Sequence, residues 1–374
     1  MSACDGCLAR TWLLERLGGH LEVVRGRIGE LLALDDERLV AAVGGRDAAI
    51  VAQDHARFAA ELAGEARSRS LAAGLELICR CDRGYPPSLL ALAAPPAVLY
   101  IAGGADRFIA LCGGQSDAVA IVGTRRLSIY GGDVATALGR GVGAAGVTVV
   151  SGMARGVDAA AHVGALAGGG TTVAVLPGPA DRPYPASKRR LYGEIVAAGA
   201  AISEVGPGSA AWRWAMQARN RVIAGLAAMT VVVEAGVNSG ALLTARVAAD
   251  LCRPVGAVPG LVTNPKASGS NALLAAGATV VRGAQDVLDE LFGAGVRKAA
   301  TDARSSPTPR QAALLAEIAA GRDTVARLGM ATPMRPGDTS VGVSRPDEVL
   351  ADLAALELAG WIRRGAGGRF SVVA

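Results

Sequence analysis

Aromatic residues make up only 3% of this chain, against 51% hydrophobic residues. Its core must therefore rest mostly on Ala, Val and Leu, and base stacking has few side chains to draw on. No run of about 18 uncharged apolar residues occurs, so no membrane partner is expected. No basic segment followed by an apolar one opens the chain, so no signal peptide is expected. Cysteines are scattered at 4, 7, 79, 81, 112 and 252. That pattern argues against a disulfide framework and for a reducing cytosol, so the expected location is cytoplasmic. Cys4 and Cys7 have metal-ligand spacing, but no second CxxC or HxxxH pair follows, and His20 and His55 are the only nearby histidines. Free thiols on a frayed terminus, with no metal, are the expectation.

Two nucleotide signatures are also missing. No G-x-x-x-x-G-K-[ST] is present, so this is no P-loop ATPase. The segment IVGTRRLSIYGG (121–132) has the wrong spacing for G-x-G-x-x-G, so no dinucleotide or other cofactor is expected. What the chain has in quantity is glycine, 50 of 374 residues without a collagen period. Most fall at the ends of apolar runs, where α/β proteins place turns. A net charge of +5 suits a nucleic-acid partner without requiring one.

Residues 1–75 read as short amphipathic helices, a small SAM-like helical domain. Residues 76–116 carry Pro86-Pro87 and Pro95-Pro96 between extended segments and read as a connector packed on the next domain. From 117 to 292 apolar strand candidates alternate with helices: 118–123, 147–152, 171–178, 200–205, 230–236, 254–260 and 279–281. The fold class is therefore α/β, an extended Rossmann-like, mostly parallel sheet covered on both faces. The polar chemistry sits at the strands' carboxyl ends, where such folds keep their sites. Residues 293–310 read as a linker. Residues 311–374, helices followed by two short strands around a Gly-rich turn, have the pattern of a winged helix.

Several loops carry anion-binding features. Gly123 ends a strand and precedes Arg125 and Arg126; a glycine admits close backbone approach, and a guanidinium can fork onto phosphate. Ser151, Gly152, Arg155 and Gly156 form a turn at a helix entrance. Asp158 and His162 share a face of that helix and read as braces for the loop rather than as a catalytic dyad, because no Ser or Cys has a base aimed at it. Lys188, Arg189 and Arg190 open a helix, against its macrodipole, an arrangement a docked polyanion would explain. Arg219, Asn220 and Arg221 precede the strand that ends at Glu234. Ser239-Gly240 makes an anion seat at the next helix, and Lys266 sits in a later Gly/Ser/Asn loop.

Taken in order, YPPSLLALAAPPAVLYIAGG, IVGTRR…YG, SGMARGVDAAAH, GTTVAVLPG…YP, ISEVGPG, ARNRVIAGL, VVVEAGVNSGALLTA, AVPG and SGSNALLAAGA resemble the DprA/Smf family of bacterial DNA-processing proteins. The resemblance covers about residues 80–292, with a weaker match in the tail. It implies a Rossmann-like domain that binds single-stranded DNA in a basic pocket. It also implies a homodimer, loading of a RecA-type recombinase during natural transformation, and no enzymatic activity. By that resemblance Arg125 and Lys188 contact phosphates. The 151–156 loop, Ser239 and Gly240 supply backbone and hydroxyl donors, Arg219 and Arg221 help shape the basic rim, and Gly123, Arg189 and Lys266 are further expected DNA-binding residues. Glu234 joins Asp158 and His162 as a loop brace. Two segments depart from the family pattern: PGPADRPYP (177–185), and AWRWAMQARNR (211–221), which lacks the usual Phe-Pro. Two other readings stay open. One is a nucleotide N-glycoside hydrolase of the lysine-decarboxylase-like group, disfavoured because Glu234 precedes the glycines. The other is a small-molecule sensor with a winged-helix output.

Overall fold

The computed structural model describes residues 3–57, 60–114, 118–299, 307–328 and 346–373. It forms two compact units, 1–300 and 301–374. The first is built on nine strands: β1 (Glu76–Cys79), β2 (Val98–Ala102), β3 (Ala118–Val122), β4 (Thr148–Ser151), β5 (Thr172–Val175), β6 (Ala200–Ser203), β7 (Met229–Val232), β8 (Val255–Ala257) and β9 (Thr279–Val280). Their order is β1-β2-β6-β5-β4-β3-β7-β8-β9. From β6 to β9 every pair is parallel. All seven expected strand segments lie in this run, each trimmed where glycine, proline or a polar residue ends it.

Every residue of β3 through β7 is buried, because successive side chains enter opposite helical layers. Ala118, Ala120 and Val122 pack with Val222, Ile223 and Leu226 of the helix Arg213–Leu226. Val119 and Ile121 pack with Val134 and Leu138 of the helix Ile129–Ala144 and with Val157 and Ala161 of the helix Val157–Ala167. These residues are mostly Val, Ala, Leu and Ile, so the sheet closes without aromatic bulk.

Two segments differ from the sequence reading. The connector at 76–116 supplies β1 and β2, which extend the sheet past β6 as antiparallel strands. Its proline pairs bound these strands and hid their regularity. The supposed linker is also shorter than 293–310. The Gln285 side chain donates to Arg297 O (3.0 Å) and accepts from Ala299 N (2.9 Å), holding that stretch on the helix Ala284–Phe292.

The N-terminal helices share a core with the sheet unit. Leu13, Leu17, Leu21, Ile28, Leu31 and Leu39 enclose one cluster with Trp214, Ala215 and Ala218. Arg10 fixes the layer by bonding Asp36 (2.5 Å), Leu32 O (3.0 Å) and Leu34 O (2.9 Å).

In the second unit the helix Pro309–Ala319 opens with a Thr308–Gln311 capping box. The helices Val325–Leu328 and Pro346–Leu358 follow, then a hairpin of β10 (Ile362–Arg364) and β11 (Phe370–Val372). Leu314, Ile318, Leu353, Leu356, Ile362 and Phe370 form its small core. Thr324 bridges antiparallel to Arg369, beside the hairpin.

Candidate nucleic-acid interface

β3 and β7 are neighbours, but the chain leaves them toward opposite faces. The helix after β3, Ile129–Ala144, covers one face; the helix after β7, Ala241–Asp250, covers the other. Loops diverge at such a switch point and leave a crevice outside the carboxyl ends. Here the crevice is a cleft of about 970 Å³. Residues 122–126 form one wall and 236–241 another, with Ala154, Asp158, Pro265, Lys266 and Ser268 at the ends. Arg213, Met216, Gln217, Asn220 and Ile223 close it from one stripe of the helix Arg213–Leu226, and Arg25 reaches it from the N-terminal layer.

Five cations besides Arg219 line this cleft: Arg25, Arg125, Arg126, Arg213 and Lys266. Arg25 pairs with Glu22 at 3.6 Å. Among the described residues no carboxylate pairs with the other four. Arg125 is exposed and its Nη2 donates only to Met216 Sδ, at 3.6 Å. The ten-residue helix Ala241–Asp250 points its N-terminus here, with Ser239 and Gly240 at its entrance. Its first amides are engaged by the entrance itself, Ala241 N on Ser239 Oγ (3.3 Å), Leu242 N on Ser239 O (3.1 Å) and Leu243 N on Gly240 O (3.1 Å), and the positive end of the helix dipole favours an anion. Unpaired cations around a helix N-terminus make a seat for phosphate.

Beneath the seat the loops are locked together. Glu234, 3% exposed, accepts from Ser128 N (2.8 Å) and Asn264 Nδ2 (3.2 Å), while its carbonyl accepts from Thr124 N (2.6 Å). One residue thus ties the loops after β3, β7 and β8. Gly123 lies against this brace, where a Cβ would stand 2.8 Å from Glu234 O. Gly156 has φ +89°, and a Cβ there would lie 2.1 Å from Thr124 O. It presses the β4 loop onto the β3 loop, a conformation and an approach open to glycine.

Several residues expected in contact with the ligand are instead part of this scaffold. Arg219 is buried: its Nη1 donates to Gly152 O and to Val175 O (2.8 Å), and its Nη2 lies 3.7 Å from Asp158. Burial pushes the Arg219 pKa down and that of Asp158 up, and their mutual attraction opposes both. The Arg219 guanidinium keeps its proton, as arginine does in proteins. Gly152 serves this contact, since a Cβ would stand 2.5 Å from the Arg219 guanidinium. Arg221 is spent on Glu204 through two bonds (2.7 and 2.6 Å) and on Ala94 O (2.8 Å), so it does not shape the rim. Ser151 Oγ donates to Ile121 O (2.7 Å) and is fully buried, tying β4 to β3 rather than facing a ligand.

His162 does not pair with Asp158. Its Nδ1 lies 2.6 Å from Thr172 Oγ1, whose hydroxyl donates to Val149 O (2.6 Å), so Nδ1 carries the proton and donates. Burial, with the Arg219 charge adding to it, lowers the His162 pKa to about 3. The imidazole is therefore neutral near pH 7.

Lys188 and Arg189 lie outside the cleft. They follow β5, two strands from β3, in the turn Ala186–Lys188 and at the start of the helix Arg189–Ala198. Tyr184 connects this loop to the cleft wall through its contact with Met216 Sδ (4.0 Å). Arg155 is exposed beside the cleft-lining Ala154. The sequence reading missed Arg213 and Arg25. Arg213, Met216, Gln217 and Asn220 follow i, i+3, i+4, i+7 spacing, a legible helix face. No local signal marks Arg25, which folding alone brings to the site.

The fold and cleft define a doubly wound α/β protein with a basic crevice at its switch point. Residues 76–292, more than half the chain, match the family model for DNA recombination-mediator protein A. The chain belongs to that family, the DprA/Smf proteins. A DprA relative in Mycobacterium tuberculosis is 41% identical over 248 residues, covering 65% of this chain and 61% of that protein. The chain thus spans less than two thirds of that relative's length. The crystal structure of Streptococcus pneumoniae DNA processing protein A superimposes with a TM-score of 0.61 at 28% identity, over 78% of this chain and 99% of that one. DNA processing protein A from Helicobacter pylori, solved for its single-stranded DNA binding mode, matches with a TM-score of 0.52 at 27% identity, over 59% of this chain and 97% of that one.

Proposed function

We propose that this chain binds single-stranded DNA in the β3/β7 cleft and delivers it to a RecA-type recombinase, as a homodimer in the cytoplasm, during DNA uptake and recombination. The observation that carries this reading is the set of four unpaired cations, Arg125, Arg126, Arg213 and Lys266, around one helix N-terminus. The Helicobacter pylori relative supports the strand type, and the family's description as a recombination mediator supports the recombinase partner. Lys188 and Arg189 extend the basic track past Tyr184, outside the cleft. The second unit, with its helices and hairpin, supplies a winged helix.

Phosphates rather than bases dominate the binding. Trp214 is 3% exposed in the helical core, Trp212 packs on the same cluster, and Tyr192 donates to Ala180 O (2.6 Å). Of these segments' aromatics, Tyr184 stands beside the cleft wall, against Met216, where it can stack on a base. A binding role without catalysis fits Glu234, whose two carboxylate oxygens are both engaged in loop bracing. That engagement counts against the N-glycoside hydrolase.

Titration of the full chain with single-stranded and duplex oligonucleotides at several salt concentrations tests the reading. Single strands should bind more tightly, and four phosphate contacts should give a slope of log affinity against log salt of about −3. Equal affinity for duplex, or release of free base from a nucleoside monophosphate, would contradict it.

A further inference from the structure

We propose that Cys4, Cys7, Cys79 and Cys81 form a structural zinc(II) site that clamps the N-terminal helix to the edge of the sheet. The four thiols are free, as expected, but residues 3–7 are tied down rather than frayed. Arg67 donates from Nε (3.1 Å) and Nη2 (2.6 Å) to Ala3 O, and Ala3 and Cys7 are buried against Leu75, Leu77 and Val98. The second ligand pair is there too. It comes from the end of the edge strand β1 and the turn after it, as CxC rather than CxxC.

All four Sγ atoms lie within 4.8 Å of one another. Zinc–sulfur bonds of about 2.3 Å set the edges of a ZnS4 tetrahedron at about 3.8 Å. Cys7 Sγ and Cys81 Sγ are 3.7 Å apart, close to that edge and far beyond a disulfide bond of about 2.05 Å. Small shifts of the remaining thiols close the tetrahedron.

Both spacings suit the elements that carry them. Cys4 is the N-cap of the helix Asp5–Arg16 and Cys7 lies in its first turn, so i, i+3 spacing puts both thiols on one face. The positive end of that helix favours thiolate. Cys79 ends β1, and Cys81 follows in a turn closed by Asp82 N to Cys79 O (2.9 Å) and Cys79 N to Asp82 Oδ2 (2.7 Å). The i, i+2 spacing again sets both thiols on one side. Cys4 N donates to Cys79 Sγ at 3.5 Å, a bond that supports a charged sulfur. Four soft sulfur donors and no open position fit zinc in a structural role.

Loading balances simply. Four thiols give four protons to solvent, four sulfur–zinc bonds replace the ion's bound waters, and nothing is oxidised or reduced. The joint links segments 75 residues apart. It seats the helix Asp5–Arg16, whose Glu15 accepts from Gly206 N (3.2 Å), beneath the layer that delivers Arg25.

Elemental analysis of the full chain, purified under a thiol reductant without a metal-binding tag, tests the site. One zinc per chain is expected. Cys7→Ser and Cys81→Ser should each reduce zinc to a trace, while Cys112→Ser and Cys252→Ser, outside the cluster, should keep it. If the cluster variants fail to fold, cobalt substitution of the unaltered chain gives an independent readout, the intense visible absorption of a tetrahedral tetrathiolate. A folded chain dialysed against zinc that binds only a trace overturns the proposal. So does stoichiometric iron in place of zinc, or mass spectrometry showing a disulfide among the four cysteines.

Discussion

One helix, Arg213–Leu226, employs its arginines in two ways. Its N-terminal arginine, Arg213, faces the cleft with no partner among the described residues. Arg219 and Arg221, both about two turns on, are spent on Asp158, Glu204 and four backbone carbonyls. A cation held in the scaffold is turned inward onto acceptors of the protein, with only the Arg219 Nε left without one, whereas a cation at the cleft has donors to offer. Residue type alone does not separate them, and position relative to the sheet does.

Breaking a buried pair should give the largest effect. Arg221→Ala leaves Glu204 in a protein interior without its partner, and such losses cost about 3–5 kcal/mol. Urea denaturation should show that loss, with Arg219→Ala similar because it strands Asp158. Unchanged unfolding midpoints for both would erase the distinction between scaffold and cleft.

The buried His162 gives the next effect. Its pKa of about 3 in the folded chain lies below the ordinary 6.5, so the unfolded chain takes up the proton first as pH falls. Stability from this residue is complete above pH 6.5 and declines toward pH 3, by about 1.4 kcal/mol per pH unit. Melting temperatures measured from pH 7 to pH 4 should fall more steeply for the unaltered chain than for His162→Gln.

Cleft substitutions should leave stability alone and weaken binding. Arg125→Ala and Arg213→Ala each remove one charge-assisted phosphate contact, about a 10-fold loss. Each should also reduce the salt slope by about 0.7. Lys188→Ala, on the neighbouring loop, should give the smallest change, about 2-fold, since exposed charges away from the seat are screened. A Lys188 effect larger than that of Arg125 would move the centre of binding to the β5 loop.

Much of this arrangement was legible in the chain. The seven parallel strands announce themselves as apolar runs, all but the last ended by Gly, Pro or a polar residue at the carboxyl edge, where Glu234 and Gly123 stand. β1 and β2 were hidden because proline pairs disguise short antiparallel edge strands as a connector. Arg219 and Arg221 misled because a charge in sequence reads as surface, and nothing local reveals a waiting Asp158 or Glu204. Arg25 and the Cys4–Cys81 cluster depend on contacts between distant segments. The thiol pairs use different spacings because one sits on a helix and the other at a strand end, so a search for matching pairs passes over them.

The central claim is that the unpaired cleft arginines, and not the buried ones, hold the DNA. Fluorescence anisotropy of a labelled single-stranded oligonucleotide with Arg125→Ala/Arg213→Ala tests it most directly, with the melting temperature recorded alongside. The account predicts a loss in affinity of about 100-fold with an unchanged melting temperature, the sum of two independent contacts. Unaltered affinity in a folded double variant would contradict it.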